Sequence, residues 1–149
     1  MIRLYIKGTN GSISIELLGY ENAAAQNASD ANWLKTRIKV ISGPFCGEIA
    51  ATMTTHDFSY FEKELIELLL NLKGKAKFQT NEEWLSFEIE IGALGTAIVR
   101  GTAKANDGSR SSLAFSFETD QSYLEQTRQL LSSITQNFPV QRKEEAPDS

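Results

Sequence analysis

Cys46 and His56 are the only cysteine and the only histidine in the chain. A thiolate–imidazole pair would have to be built from both, and a histidine-activated serine would have to use His56. Apolar and polar residues alternate between them, which predicts that they occupy opposite ends of one strand. Ten residues at about 3.3 Å each separate them by roughly 33 Å, about ten times hydrogen-bond reach. A Cys46–His56 dyad is excluded on that spacing, and no Gly-x-Ser-x-Gly elbow marks a serine nucleophile. Cys46 reads as a small apolar filler and His56 as a solvated turn residue ahead of a helix. One histidine and one cysteine leave only carboxylates for a metal, and no calcium-loop spacing is present. Gly92-Ala93-Leu94-Gly95 lacks the following lysine and the spacing of a phosphate loop. The last acid/base candidates are Glu88 and Glu90, which share one strand face about 7 Å apart at the backbone, a pairing of the kind used in glycoside hydrolysis. Their alternation with Phe87 and Ile89 puts them instead on a solvent face, within reach of basic residues on neighbouring strands. No catalytic residue, metal site or cofactor follows, and the reading is of a protein that is not an enzyme.

The elements that carry these residues are mostly strands. Ile2, Leu4 and Ile6 alternate with Arg3, Tyr5 and Lys7, and after the turn signal Asn10-Gly11 the pattern returns at Ile13, Ile15 and Leu17, predicting a hairpin. A polar string over 21–31 reads as a loop. A third strand is expected over 32–42, and Gly43-Pro44 turns the chain into a fourth over 45–55. Asp57 is the expected cap of a helix over 57–73, whose stripe is Phe58, Phe61, Leu65, Leu68, Leu69 and Leu72, with Gly74 just past its end. Strand patterning resumes at Ala76 and Phe78, then at Leu85, Phe87, Ile89 and Ile91. A seventh strand is expected over 96–105 and an eighth around Leu113, Phe115 and Phe117, joined by the Asn106-Asp107-Gly108 turn. A second helix, capped by Asp120, follows with Tyr123, Leu124, Thr127, Leu130, Leu131, Ile134 and Phe138 on its apolar stripe.

The chain thus reads as two similar halves, with Ser59-Tyr60-Phe61-Glu62 in the first helix matched by Ser122-Tyr123-Leu124-Glu125 in the second. The expected fold is α+β: an antiparallel sheet of about eight strands with two helices on one face, ββββα repeated twice. Residues 1–138 are expected to form one domain, and 139–149 a disordered tail with almost nothing to bury.

A chain of 149 residues can bury roughly 70% of the surface its unfolded form exposes and needs no covalent staples. Its 41% hydrophobic and 23% charged residues are ordinary for a soluble globular protein. With 19 acidic against 15 basic residues and a pI near 5.1, nucleic acid is not an expected partner. Neither a signal peptide nor an apolar run long enough for a membrane is visible, and a lone cysteine suits a reducing compartment, so the expectation is a cytoplasmic protein.

The outward phase of the strands is the most informative surface. It carries Arg3, Tyr5 and Lys7; Glu16 and Tyr20; Trp33, Lys35, Arg37 and Lys39; and Trp84, Glu88, Glu90, Arg100 and Lys104. Tryptophan, tyrosine and arginine are common interface anchors, since they bury a large area while keeping a polar handle. Tyr5, Trp33, Lys35, Arg37, Trp84, Glu88 and Glu90 are therefore the candidate partner-binding residues. The structural alternative is that the two tryptophans plug the core near strand ends while the charges pair across strands.

Ser29-Asp30-Ala31-Asn32-Trp33-Leu34 leading into a long strand, a largely strand-built body and a terminal helix ending at Phe138-Pro139 together resemble the WapI-type immunity family of bacteria. The resemblance runs over most of residues 1–139. It implies a small cytosolic protein that binds a polymorphic toxin domain and neutralises it, with no catalytic motif to carry over. Within the motif, Asp30 and Asn32 also have a structural reading, as loop hydrogen bonders that fix the entry to the third strand. A second function of another class stays open on the residues: a helix-grip-like protein that binds a small ligand in an apolar cavity lined by Phe78, Phe87, Phe115 and Phe117. The same four side chains could equally fill the core.

Overall fold

The computed structural model describes residues 2–21, 31–80 and 82–140; residues 141–149 of the tail expected over 139–149 lie outside them, as does most of the loop expected over 21–31, Asp30 included. The elements run β1 (Ile2–Lys7), β2 (Gly11–Tyr20), β3 (Trp33–Ser42), β4 (Phe45–Thr54), α1 (Thr55–Asn71), β5 (Gly74–Gln79), β6 (Leu85–Ile91), β7 (Ala97–Lys104), β8 (Ser112–Thr119) and α2 (Gln121–Asn137). This is the expected α+β order, ββββα given twice.

The eight antiparallel strands form two sheets of four, β1-β2-β3-β4 and β5-β6-β7-β8, rather than one continuous layer. Dimensions explain the division. Eight strands at about 4.8 Å span roughly 38 Å, whereas two helices about 10 Å wide cover little more than half of that. Two stacked sheets instead cover each other. Leu4, Ile6, Ile13, Ile15, Ile38 and Met53 of the first sheet and Phe78, Phe87, Ile89, Val99, Phe115 and Phe117 of the second belong to one buried core. Strand β8 lies against β2 and β3. At that contact Phe117 sits directly over Gly8 and Gly11, where any side chain would strike its ring.

The helices follow a cross-over rule. Helix α1, which ends the first half, packs on β5 of the second sheet; α2, which ends the second half, packs on β1 of the first; and the helices touch each other. Each also occupies backbone groups of the edge strand it covers. The Glu64 carboxylate of α1 accepts from the Lys77 N–H at 3.0 Å, and the Thr127 hydroxyl of α2 donates to the Tyr5 carbonyl at 2.9 Å. Unpaired edge groups invite another strand, and here helix side chains occupy them.

Local details depart from expectation in three places. Helix α1 is capped by Thr54, whose hydroxyl accepts from the Asp57 N–H at 3.2 Å while the Asp57 carboxylate accepts from the Thr54 N–H at 2.8 Å. Asp57 is thus the reciprocal third residue of a capping box rather than the cap itself. Burial pushes its carboxyl above the usual range, against the opposing pull of the Thr54 hydrogen bonds and of nearby His56. Asp120 caps α2 as expected, and hydrogen bonds from Tyr123 and Ser122 hold its carboxyl below the usual range. Second, the matched tetrapeptides are not equivalent: Ser59 is the fifth residue of α1 and Ser122 the second of α2. The halves share topology, and these matched letters fall out of register.

Third, α1 ends at Leu72, not at a glycine. Leu72 holds φ of 57° while its N–H donates to the Leu68 carbonyl. A left-handed leucine is strained by about 1–2 kcal/mol, and this side chain is 45% exposed, so little packing offsets the strain. Leu72→Gly is expected to raise the unfolding free energy by about 0.5–1 kcal/mol after glycine's greater unfolded-state entropy is counted. Equilibrium urea denaturation checks it; a fall in stability would show that the leucine contact outweighs the backbone strain.

Candidate protein-binding surface

Strand register lays out the outer face of the first sheet row by row. Arg3, Glu16, Arg37 and Ala50 form one row across β1 to β4; Tyr5, Ser14, Lys39 and Glu48 form the next; Lys7, Ser12, Ile41 and Cys46 form the third. Above them Lys35 lies opposite Thr52, and Trp33 opposite Thr54. Tyr5, Trp33, Lys35 and Arg37 therefore share one face, the two cations exposed and the two rings half-buried. The Arg3 guanidinium lies 4.7 Å from the Tyr5 ring centroid, and Lys39 pairs with Glu48 at 3.6 Å. Among the described residues neither Lys35 nor Arg37 is in an ion pair.

Trp84, Glu88 and Glu90 belong to the other sheet, so the seven candidate residues do not share one surface. Glu88 and Glu90 lie on the outer face of β6, paired with Lys75 at 3.8 Å and Arg100 at 3.1 Å. These are the expected cross-strand pairs on an open face, worth about 0–1 kcal/mol each at such exposure. Trp84 precedes β6, packs against the core and donates its indole N–H to the Glu82 carboxylate at 2.8 Å. That position is the core-plugging alternative foreseen for it; Trp33 is absent from the side chains packed on the core.

Two residues change sides. Tyr20, expected on the outward face, is turned inward by a bulge: Leu17 lies opposite Thr36 and Gly19 opposite Lys35, leaving Leu18 unpaired. One extra residue reverses the side-chain parity, so Tyr20 packs edge-on against Phe138 at 5.3 Å. Cys46, expected as buried filler, is exposed on the outer face opposite Ile41. His56 lies in the first turn of α1, exposed and stacked on Tyr60 at 6.1 Å. Cys46 stands at the start of β4 and His56 two residues past its end, so the strand holds them apart rather than carrying both. Among the described residues no three or more histidine, cysteine or carboxylate side chains gather as a metal site.

Asn32 has the structural role foreseen for it. It is buried, its side-chain oxygen accepts from the Thr55 hydroxyl at 2.9 Å and its carbonyl from the Thr55 N–H, which ties the entry of β3 to the start of α1.

The four phenylalanines considered as a cavity lining pack on other rings. Phe78 stacks on Phe87 at 5.0 Å and Phe115 on Phe117 at 6.4 Å, and all four are buried. A groove of about 360 Å³ does open between β4 and the β7–β8 connection, but it is lined by Ile38, Val40, Phe45, Ile49, Ala103 and Leu113, with polar groups from Glu48 and Asp107.

The class defined by this geometry is a two-sheet α+β protein with Lys35, Arg37 and the half-exposed Trp33 displayed on an open sheet face. The chain belongs to the WapI-like immunity protein family, whose profile matches residues 3–139. Among curated proteins none matches. Of solved structures, that of the plant transcriptional regulator PBF-2 is similar, with a TM-score of 0.51 and 9% identity over 93% of this chain and 81% of that one. WHY3 from Arabidopsis thaliana gives 0.49 and 8% identity over 94% and 88%. At such identities the likeness to PBF-2 is one of fold. No described helix is long and apolar enough to cross a membrane.

Proposed function

We propose that this protein is a cytoplasmic immunity protein that binds a polymorphic toxin domain and neutralises it by surface contact, without catalysing a reaction. The observation that carries the reading is the family match, which spans residues 3–139 and so takes in both sheets and both helices. The geometry supports it in two ways. An inhibitor needs a rigid surface rather than reactive groups, and groups preset on paired strands lose little entropy on docking. Tyr5, Trp33, Lys35 and Arg37 on one sheet, and Trp84, Glu88 and Glu90 on the other, are the candidate contact residues.

Co-expression with the toxin domain encoded in the neighbouring reading frame is the direct test. The expected result is co-purification as a stable complex and restored growth of cells that otherwise stop dividing. A toxin that stays free on size exclusion and still arrests growth would remove the proposal.

A further inference from the structure

The outer face of the first sheet is cationic although the whole chain carries a net charge of −4. Arg3, Lys7, Lys35, Arg37 and Lys39 stand there against two carboxylates, Glu16 and Glu48. Three of the cations form a column on β3. Alternate residues on a strand are about 7 Å apart, so Lys35, Arg37 and Lys39 repel one another along its length. Among the described residues only Lys39 of the three has a carboxylate in ion-pair range. Gly19, Glu16 and Ser14 on β2 and Thr52, Ala50 and Glu48 on β4 flank the column, so Lys35 has only short neighbours, Arg37 has one carboxylate beside it and Lys39 another. Trp33 stands half-exposed at the head of the same column. Four strands by about eight residues make a plane of about 500 Å², to be compared with about 800 Å² of accessible surface per partner in a standard specific interface.

We infer that this face receives an acidic surface of the toxin domain, with Lys35, Arg37 and Lys39 opposite carboxylates and Trp33 as the apolar anchor; this rests on the immunity reading above. A protein partner fits better than a polynucleotide. A long polyanion meets the field of the whole chain, which is repulsive at pI 5.1, whereas a compact acidic patch meets mainly the local cations within a screening length of about 8–10 Å. Unpaired charge at such a face raises association rates and rejects basic competitors.

The test compares the full-length wild type with K35E/R37E, K35Q/R37Q and W33A, titrated with the toxin domain from the neighbouring frame at low and high salt. K77E/K104E makes the same change in net charge on the outer face of the other sheet and serves as the control. All four altered cations are exposed, so circular dichroism should report unchanged folds for the double variants. The expected result is a Kd weakened about 100-fold or more by K35E/R37E, less by K35Q/R37Q and W33A, and less than about threefold by K77E/K104E, with wild-type association slowing as salt rises. If the wild type binds and K35E/R37E binds equally well, this inference falls while the immunity reading stands. If the wild type forms no complex, both fall. If it retains single-stranded oligonucleotide and K35E/R37E does not, the face serves nucleic acid and the inference is overturned.

Discussion

Gly101→Ala is expected to lower the unfolding free energy by about 3 kcal/mol, at the upper end of what a single added methyl costs in a packed core. Gly101 lies inward on β7, directly opposite Phe87 on β6 and Phe115 on β8. A methyl there would meet the Ser86 carbonyl oxygen, would come within 2.5 Å of the Phe87 Cβ and would lie 2.7 Å from the Phe115 ring. Two of those three obstacles are part of the adjacent strand or rigidly attached to it, so relief requires β6 and β7 to separate. Gly92 supplies the comparison, because it has open space around it and no left-handed backbone; Gly92→Ala should change stability by less than about 0.5 kcal/mol. Equal urea midpoints for the two variants would refute this account of the second sheet.

Phe61→Ala is expected to cost about 3–5 kcal/mol, enough to consume much of the stability of an ordinary domain. The Phe61 side chain is fully buried and meets Phe78 at 5.5 Å and Phe87 at 5.3 Å, both edge to face. It is therefore the bolt between α1 and the second sheet. Losing the ring removes apolar burial and two aromatic contacts and leaves a cavity walled by rings that are themselves stacked. Phe61→Leu keeps most of the volume and should cost about half as much. Thermal and urea unfolding would measure both; a loss below about 1.5 kcal/mol for the alanine variant would mean that the neighbouring rings collapse freely into the space.

Strand positions were legible because side-chain alternation is a local property and the turns announce themselves. Gly43-Pro44 closes a two-residue hairpin between Ser42 and Phe45, with Gly43 at φ of 57° as its first central residue. Which strands share a sheet is a non-local matter, decided by how two apolar faces can be covered, and alternation is silent about it. Tyr20 departs from its strand's alternation for a related reason. Leu17-Leu18 is a doubled apolar step, and nothing in it distinguishes a bulge from a strand buried on both sides. Cys46 was readable in principle: Glu48 is outward, residues two apart share a face, and so Cys46 is outward too. The frequent burial of free cysteines points the other way, and here the phase of the strand prevails. Thr54, three residues ahead of Asp57, likewise has capping-box spacing. On the candidate surface, outward Lys35 and Arg37 followed from phase alone, whereas their separation from Glu88 and Glu90 followed from the sheet division and could not be foreseen.

The crossed assignment of helices to edge strands has a consequence for how such a chain can exist at all. Each ββββα unit owns a helix that guards the other unit's first strand and none that guards its own, so an isolated unit would leave that strand open and its own helix without a seat. A solitary unit could satisfy both needs as a two-fold homodimer, each copy lending its helix across the axis. The present chain is that reciprocal exchange made intramolecular, with α1 serving as the bridge.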